Sequence, residues 1–131
     1  MSVLTDAIEA CLSPVTGDGQ GGFSASVTFP ADFIGFKGHF PGRPVLPGVC
    51  MVQAALLILE RGRAAPVSLR CLATAKWMAP VLPGEALVFT LAVGGRNAPP
   101  EAVRVSVLRG PEKVAEFLLE IQPGSRTAAT A

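Results

Sequence analysis

Apolar and polar residues alternate strictly at the start of the first long element. Phe23, Ala25, Val27 and Phe29 fall on one side, and Ser24, Ser26 and Thr28 on the other. This period of two predicts a half-buried strand, ended by Pro30. A different pattern begins at Pro47-Gly48, where every residue from Cys50 to Leu59 is apolar except Gln53. That run predicts a helix to about Arg61, buried on nearly all sides. Gly62 supplies its stop, with Arg61 and Arg63 near the negative end of the dipole. Four strand-like segments follow: Val67 to Met78, Glu85 to Val93, Ala102 to Leu108, and Lys113 to Ile121. Pro83-Gly84, Gly94 to Pro100 and Gly110-Pro111 provide the turns between them.

The flanks add less. Val3, Leu4, Ala7, Ile8, Cys11 and Leu12 are spaced as one face of a short amphipathic helix. Thr16 to Gly22 reads as a turn region. Ala31 to Gly48 carries too many prolines and glycines for a regular element, so it is expected to form an ordered loop. One domain therefore spans residues 1–122, and the small, polar stretch 123–131 reads as a disordered tail. The order is helix, strand, loop, buried helix, then four strands. It points to an α+β fold, an antiparallel sheet of about five strands wrapped around the long helix. Such a sheet leaves an open side and free edges, which a second copy would cover.

Composition supports that expectation. Half of the 131 residues are hydrophobic and 16% are charged, so part of the surface is predicted to lie against a partner subunit. A net charge of +1 argues against general nucleic-acid binding. The segment from Met1 to Val15 carries Asp6 and Glu9 without a basic, apolar leader pattern. Val49 to Leu59 is too short to span a bilayer. Cys11, Cys50 and Cys71 show no metal-binding spacing and are read as buried thiols of a reducing cytoplasm.

His39 is the only histidine. It lies in Gly38-His39-Phe40-Pro41-Gly42-Arg43-Pro44-Val45-Leu46-Pro47-Gly48, immediately before the buried helix. Imidazole is the side chain best matched to proton transfer near neutral pH, and this setting favours substrate contact over a structural role. Gly48 opens the helix, where a backbone N–H lacks an intrahelical acceptor and faces the positive dipole end. With no side chain there, a polarised oxygen can approach closely.

Gly38 to Val49, together with Lys76-Trp77-Met78-Ala79-Pro80-Val81-Leu82-Pro83-Gly84-Glu85, closely resembles the hot-dog-fold 3-hydroxyacyl-acyl-carrier-protein dehydratases. The agreement extends over roughly residues 23–122. The resemblance implies a homodimer, a dimer of related subunits or a higher oligomer, with active sites at the subunit interface. It implies His39 as the catalytic histidine and an acyl tunnel between subunits. Acyl carrier protein or coenzyme A would present the thioester, and no metal or bound cofactor would be used. Phe36, Phe40, Val49 and Trp77 become candidate substrate-binding residues, although each aromatic is individually also explained by core or dimer packing.

The departure is Gln53. The family carries Glu or Asp at this helix position, and a carboxamide cannot replace a carboxylic acid as proton donor. General acid catalysis is typically worth ~10²–10⁴-fold in rate. Gln53 retains the capacity to hold a hydroxyl or a water, and a buried amide would require a partner, with His39 or a backbone carbonyl the natural choice. As replacements, Glu60 lies two turns along the helix, ~10 Å away and too far for a simple swap, Asp32 lies before the loop and would have to fold back towards it, and Glu85 fits the turn role of the second motif. The leading reading is a dehydratase or hydratase of 3-hydroxyacyl thioesters in fatty-acid or specialised lipid or polyketide-like synthesis, with His39, Gln53 and Gly48 at the centre. The alternatives are a non-catalytic acyl-binding or partner subunit, favoured by Gln53, and a hot-dog thioesterase. Gln53 counts against the thioesterase as well, since thioester hydrolysis on this fold commonly relies on a carboxylate.

Overall fold

The computed structural model describes residues 3–36, 45–94 and 101–124. Helix α1 (Val3–Glu9) is followed by a two-residue strand β1 (Thr16–Gly17), then β2 (Phe23–Thr28) and a 3-10 turn (Ile34–Phe36). Helix α2 (Gly48–Arg63) comes next, then β3 (Val67–Trp77), β4 (Ala86–Gly94), β5 (Glu101–Arg109) and β6 (Glu112–Pro123). The strands form one six-stranded sheet in the order β1-β2-β4-β5-β6-β3, with every neighbouring pair antiparallel. The five strands expected from the sequence are all present, and β1 adds a short edge beside β2.

Helix α2 packs against β2, β3 and β4. Leu56, Ile58 and Leu59 meet Val27, Leu87, Phe89, Leu91, Phe117 and Leu119 in one apolar core. Burying a side chain of this size contributes roughly 1.5–3 kcal/mol, so the helix is held by the sheet rather than by its own propensity. The expected all-round burial is present, with Gln53 and Glu60 the two half-buried positions between Cys50 and Glu60.

The helix ends two residues past the expected stop. Gly62 is helical, and Ala64 adopts the left-handed cap at φ 54°. The N–H groups of Ala64 and Ala65 donate to the carbonyls of Arg61 and Glu60 at 3.3 and 3.2 Å. Gly62 serves close packing instead, since a Cβ there would sit 2.6 Å from Cε1 of Phe23. It is small so that the first residue of β2 can cross the helix.

The two sheet edges differ. β1 is too short to offer a pairing surface. β3 runs for eleven residues, buried only at Val67 and Ser68 and exposed thereafter. Leu69, Leu72 and Trp77 on this strand, with Met78 just beyond it, are large exposed apolar side chains. The cysteines correct the sequence reading in part: Cys50 is buried, Cys11 half-buried, and Cys71 exposed on β3. Gly124, assigned to the tail, donates to the Pro66 carbonyl and accepts from Ser68 Oγ. The remainder of the tail lies outside the described residues.

Candidate functional site

Pro47 precedes α2 in an extended conformation and offers no side-chain cap. The first helical N–H groups are therefore left to other acceptors, at the positive end of the dipole. The Cys50 N–H closes a tight turn onto the Pro47 carbonyl at 3.0 Å. Gly48, one residue into the helix, lies under the indole of Trp77: a Cβ would meet Trp77 Cζ2 at 2.8 Å and Cε2 at 2.9 Å. Glycine here thus admits the indole, and the close approach expected of a substrate is shared with a protein side chain. Trp77 in turn tilts onto Phe117, with ring centroids 5.5 Å apart.

Between these groups is a cleft of about 200 Å³ lined by Val45, Leu46, Gly48, Met51, Trp77, Met78, Ala79 and Pro80. Its lining is apolar apart from backbone. The strand end and turn that form one wall are tied to the approach to α2, because the Leu46 N–H donates to the Val81 carbonyl at 2.8 Å.

The structure brings together Gly48 and Trp77 among the residues singled out from the sequence. Phe36 instead sits in a buried stack, edge-on to Phe33 at 5.9 Å, with Phe33 against Phe29 at 4.7 Å. Val49 is 57% exposed, one turn before the half-buried Gln53 on the same helical stripe. The Gln53 amide makes no hydrogen bond to another described residue. Its partial exposure removes the need for an internal partner, because water can serve. His39 and Phe40, with Lys37 and Arg43, lie outside the described residues.

Of the three carboxylates considered as replacement acids, Glu60 and Glu85 are engaged by hydrogen bonds, and Asp32 lies exposed beside a second cavity. Glu60 accepts the Val67 N–H at 3.0 Å, joining the helix end to β3. Glu85 accepts the Leu82 N–H at 2.8 Å and an Arg109 bond at 2.7 Å. These hold its carboxyl below the usual range, the backbone bond first and Arg109 after it, which favours the ionised form over a proton donor. Asp32 lines a separate cavity of about 430 Å³ with Val3, Ala7, Cys11 and Phe33. Leu82 is three residues from Glu85 and fits the turn role of that segment, whereas Val67 and Arg109 are brought to Glu60 and Glu85 by the fold.

Two of the three thiols are disfavoured as thiolates by their surroundings. Burial pushes Cys50 up to about 11, and burial, then the nearby Asp32, raises Cys11. Among the described residues, no three His, Cys, Asp or Glu side chains are grouped to hold a metal ion. No described helix is long and apolar enough to cross a membrane.

Comparison with known proteins identifies the family and the fold. The family profile of the ApeI-like dehydratases (ApeI dehydratase) matches residues 17–125. The 3-hydroxyacyl-acyl-carrier-protein dehydratase FabZ of Wolbachia sp. subsp. Brugia malayi is 36% identical over 108 residues, covering 70% of this chain and 68% of that protein. FabZ of Ehrlichia chaffeensis is 37% identical over 73 residues, 52% of this chain and 50% of the relative. The chain spans about half the length of several curated relatives it matches. Among solved structures, the dehydratase heterocomplex ApeI:P from Xenorhabdus doucetiae superposes with a TM-score of 0.70 at 17% identity, covering 84% of this chain and 95% of that one. The PaaI protein of E. coli shares the fold at a TM-score of 0.68 and 14% identity, covering 91% of this chain and 88% of that one. The extent of the profile match and the Wolbachia alignment establish that the chain belongs to the ApeI-like dehydratase family.

Proposed function

We propose that this chain is the histidine-bearing subunit of a dehydratase, or reverse hydratase, acting on 3-hydroxyacyl thioesters carried by acyl carrier protein or coenzyme A. The observation that carries the reading is the uncapped start of α2, with Gly48 beside an apolar cleft, in a chain of a dehydratase family. His39, on the segment leading into α2, takes the α-proton. The Gly48 N–H stabilises the negative charge that builds on the thioester oxygen. The C–O bond then breaks, and the hydroxyl leaves as water once it receives a proton.

That last proton requires an acid. Gln53 cannot supply it, Glu60 and Glu85 are engaged by other groups, and Asp32 lines a different cavity. A carboxylic acid from a second, related subunit is the reading these engagements favour, and one solved relative of this fold is a dehydratase heterocomplex. The long edge of β3, with Leu69, Leu72, Trp77 and Met78 exposed beside it, supports subunit association there. A homodimer across this edge would bring in only a second Gln53. Three free cysteines fit a reducing compartment such as the cytoplasm. Fatty-acid or specialised lipid synthesis is the setting such a reaction implies.

The test is mass spectrometry of 3-hydroxyacyl-carrier-protein incubated with wild type, His39→Ala and Gln53→Glu. Wild type with its partner should remove one water, and His39→Ala should not. Gln53→Glu should let the chain alone gain activity, by up to ~10²-fold or more if only the acid is missing. Equal turnover by Gln53→Glu and by the His39→Ala/Gln53→Glu double variant would sink the mechanism. Thioester binding without product in every case would favour the non-catalytic acyl-binding subunit, the reading that Gln53 otherwise supports.

A further inference from the structure

The wall of the cleft opposite α2 is held from outside by one side chain. Arg109 ends β5, and its guanidinium donates through Nη1 to the Pro80 carbonyl at 2.9 Å and to Glu85 Oε1 at 2.7 Å. Its Nη2 donates to Glu112 Oε1 at 2.7 Å. Glu85 Oε1 also accepts the Leu82 N–H, so the Pro80–Glu85 turn is gripped at both ends. On the inner side, the next carbonyl along, Val81, accepts the Leu46 N–H. Two consecutive carbonyls are therefore pinned by groups from different parts of the fold, Pro80 by β5 and Val81 by the segment that enters α2. Pro80, with Met78 and Ala79, lines the cleft that Trp77 and Gly48 share, whereas Arg109 does not.

We infer that Arg109 is a positioning residue for the cleft: through the Pro80 carbonyl and Glu85 it sets the distance between Pro80, at the end of a wall whose Met78 and Ala79 N–H groups are held by the Val114 carbonyl, and the N-terminus of α2. An isolated surface ion pair would contribute little. Arg109 is different because one planar fork satisfies a backbone carbonyl and two carboxylates at once, a geometry that lysine cannot reproduce. The consequence is selective. Loss of the fork lets the wall retreat while the sheet, whose core lies elsewhere, remains intact.

Trp77 is the only tryptophan in the chain and lies in this cleft, so its fluorescence reports the wall directly. The experiment compares wild type, Arg109→Gln and Arg109→Lys, measuring acrylamide quenching of Trp77 and calorimetric binding of decyl and butyl thioether analogues of acyl-pantetheine. The analogue half rests on the thioester reading proposed above; the fluorescence half does not. Arg109→Gln should increase quenching and weaken decyl more than butyl binding, by about fourfold for each methylene that loses the wall. Arg109→Lys should recover only part of both. Wild-type quenching and an unchanged decyl-to-butyl ratio in folded Arg109→Gln, with only the Tm lowered, would overturn the proposal. Increased quenching with no analogue bound by wild type would overturn the substrate reading and leave the positioning role standing. If Arg109→Gln fails to fold, Glu112→Gln removes one arm of the fork at an exposed site. It must then raise quenching in the same direction, or the inference fails.

Discussion

The two ends of α2 are built on opposite rules. At the C-terminal end the backbone is closed: Ala64 and Ala65 return their N–H groups to the last turn, Glu60 holds the Val67 N–H, and Arg61 pairs with Glu9 at 3.6 Å. At the N-terminal end, Pro47 provides no side-chain cap, and the cleft opens beside Gly48. Both ends carry a glycine under an aromatic ring, Gly62 under Phe23 and Gly48 under Trp77. Phe23 fastens the helix to the sheet, whereas Trp77 is 47% exposed and forms one side of a cavity. A close glycine–aromatic contact therefore has no fixed meaning. Its role follows from whether the surrounding backbone is already satisfied.

Gly48→Ala should separate the two ends most strongly. Its Cβ would collide with the Trp77 ring, displacing the indole or the helix start. Activity should fall about 10²-fold, the scale of an ångström-sized misplacement, while circular dichroism stays native. Full activity would remove Gly48 from the site. At the other end, Gly62→Ala should cost stability instead, roughly 1–3 kcal/mol of overpacking against Phe23, read as a lower denaturant midpoint. In a Phe23→Ala background the same change should become stabilising by about 1 kcal/mol, the ordinary helix preference for alanine over glycine. An unchanged sign would show that Phe23 is not the reason for Gly62.

Ala64→Gly is a smaller test of the closed end. Relief of the left-handed strain, about 1–2 kcal/mol, is offset by roughly 0.5–1 kcal/mol of added unfolded-state freedom. Thermal denaturation should show a net gain of up to ~1 kcal/mol. The smallest effect expected is acidic. Glu85 titrates lower in the folded protein than in the unfolded chain, so the unfolded chain binds its proton more readily. The stability it contributes is complete above the ordinary glutamate pKa of about 4.3 and is lost as pH falls through the lowered folded value. Trp77 emission followed through that range should change in wild type and stay flat in Glu85→Gln.

Much of the frame was legible in consecutive residues. The alternation from Phe23 to Phe29 is a strand pattern whatever lies around it, and the apolar run from Cys50 to Leu59 announced a buried helix. The motif around Gly48 and the Lys76–Glu85 segment carried the family resemblance, and the fold brings Gly48, Trp77 and Pro80 from them to one cleft. Other residues misled because their roles are set at a distance. Gly62 looked like a helix stop, but the stop is Ala64, which gives no sequence signal for a left-handed conformation. Phe36, for which core packing was the individual expectation, packs in an aromatic stack that only the fold assembles. Cys71, read as buried from the habits of free cysteine, stands exposed on an edge strand. Arg109 drew no attention, because nothing local connects it to Pro80.

Neighbouring residues alone specified the elements, their order and the family, since periodicity and motif are local properties of the chain. They also raised the expectation that Gln53 stands where the family's helix carboxylate would be. Which groups surround the other candidate carboxylates was decided by folding. Glu60 is engaged by Val67, Glu85 by Leu82 and Arg109, and Asp32 faces another cavity. A carboxylate's charge, partners and reach depend on groups that folding places beside it, and no local pattern in the chain encodes them.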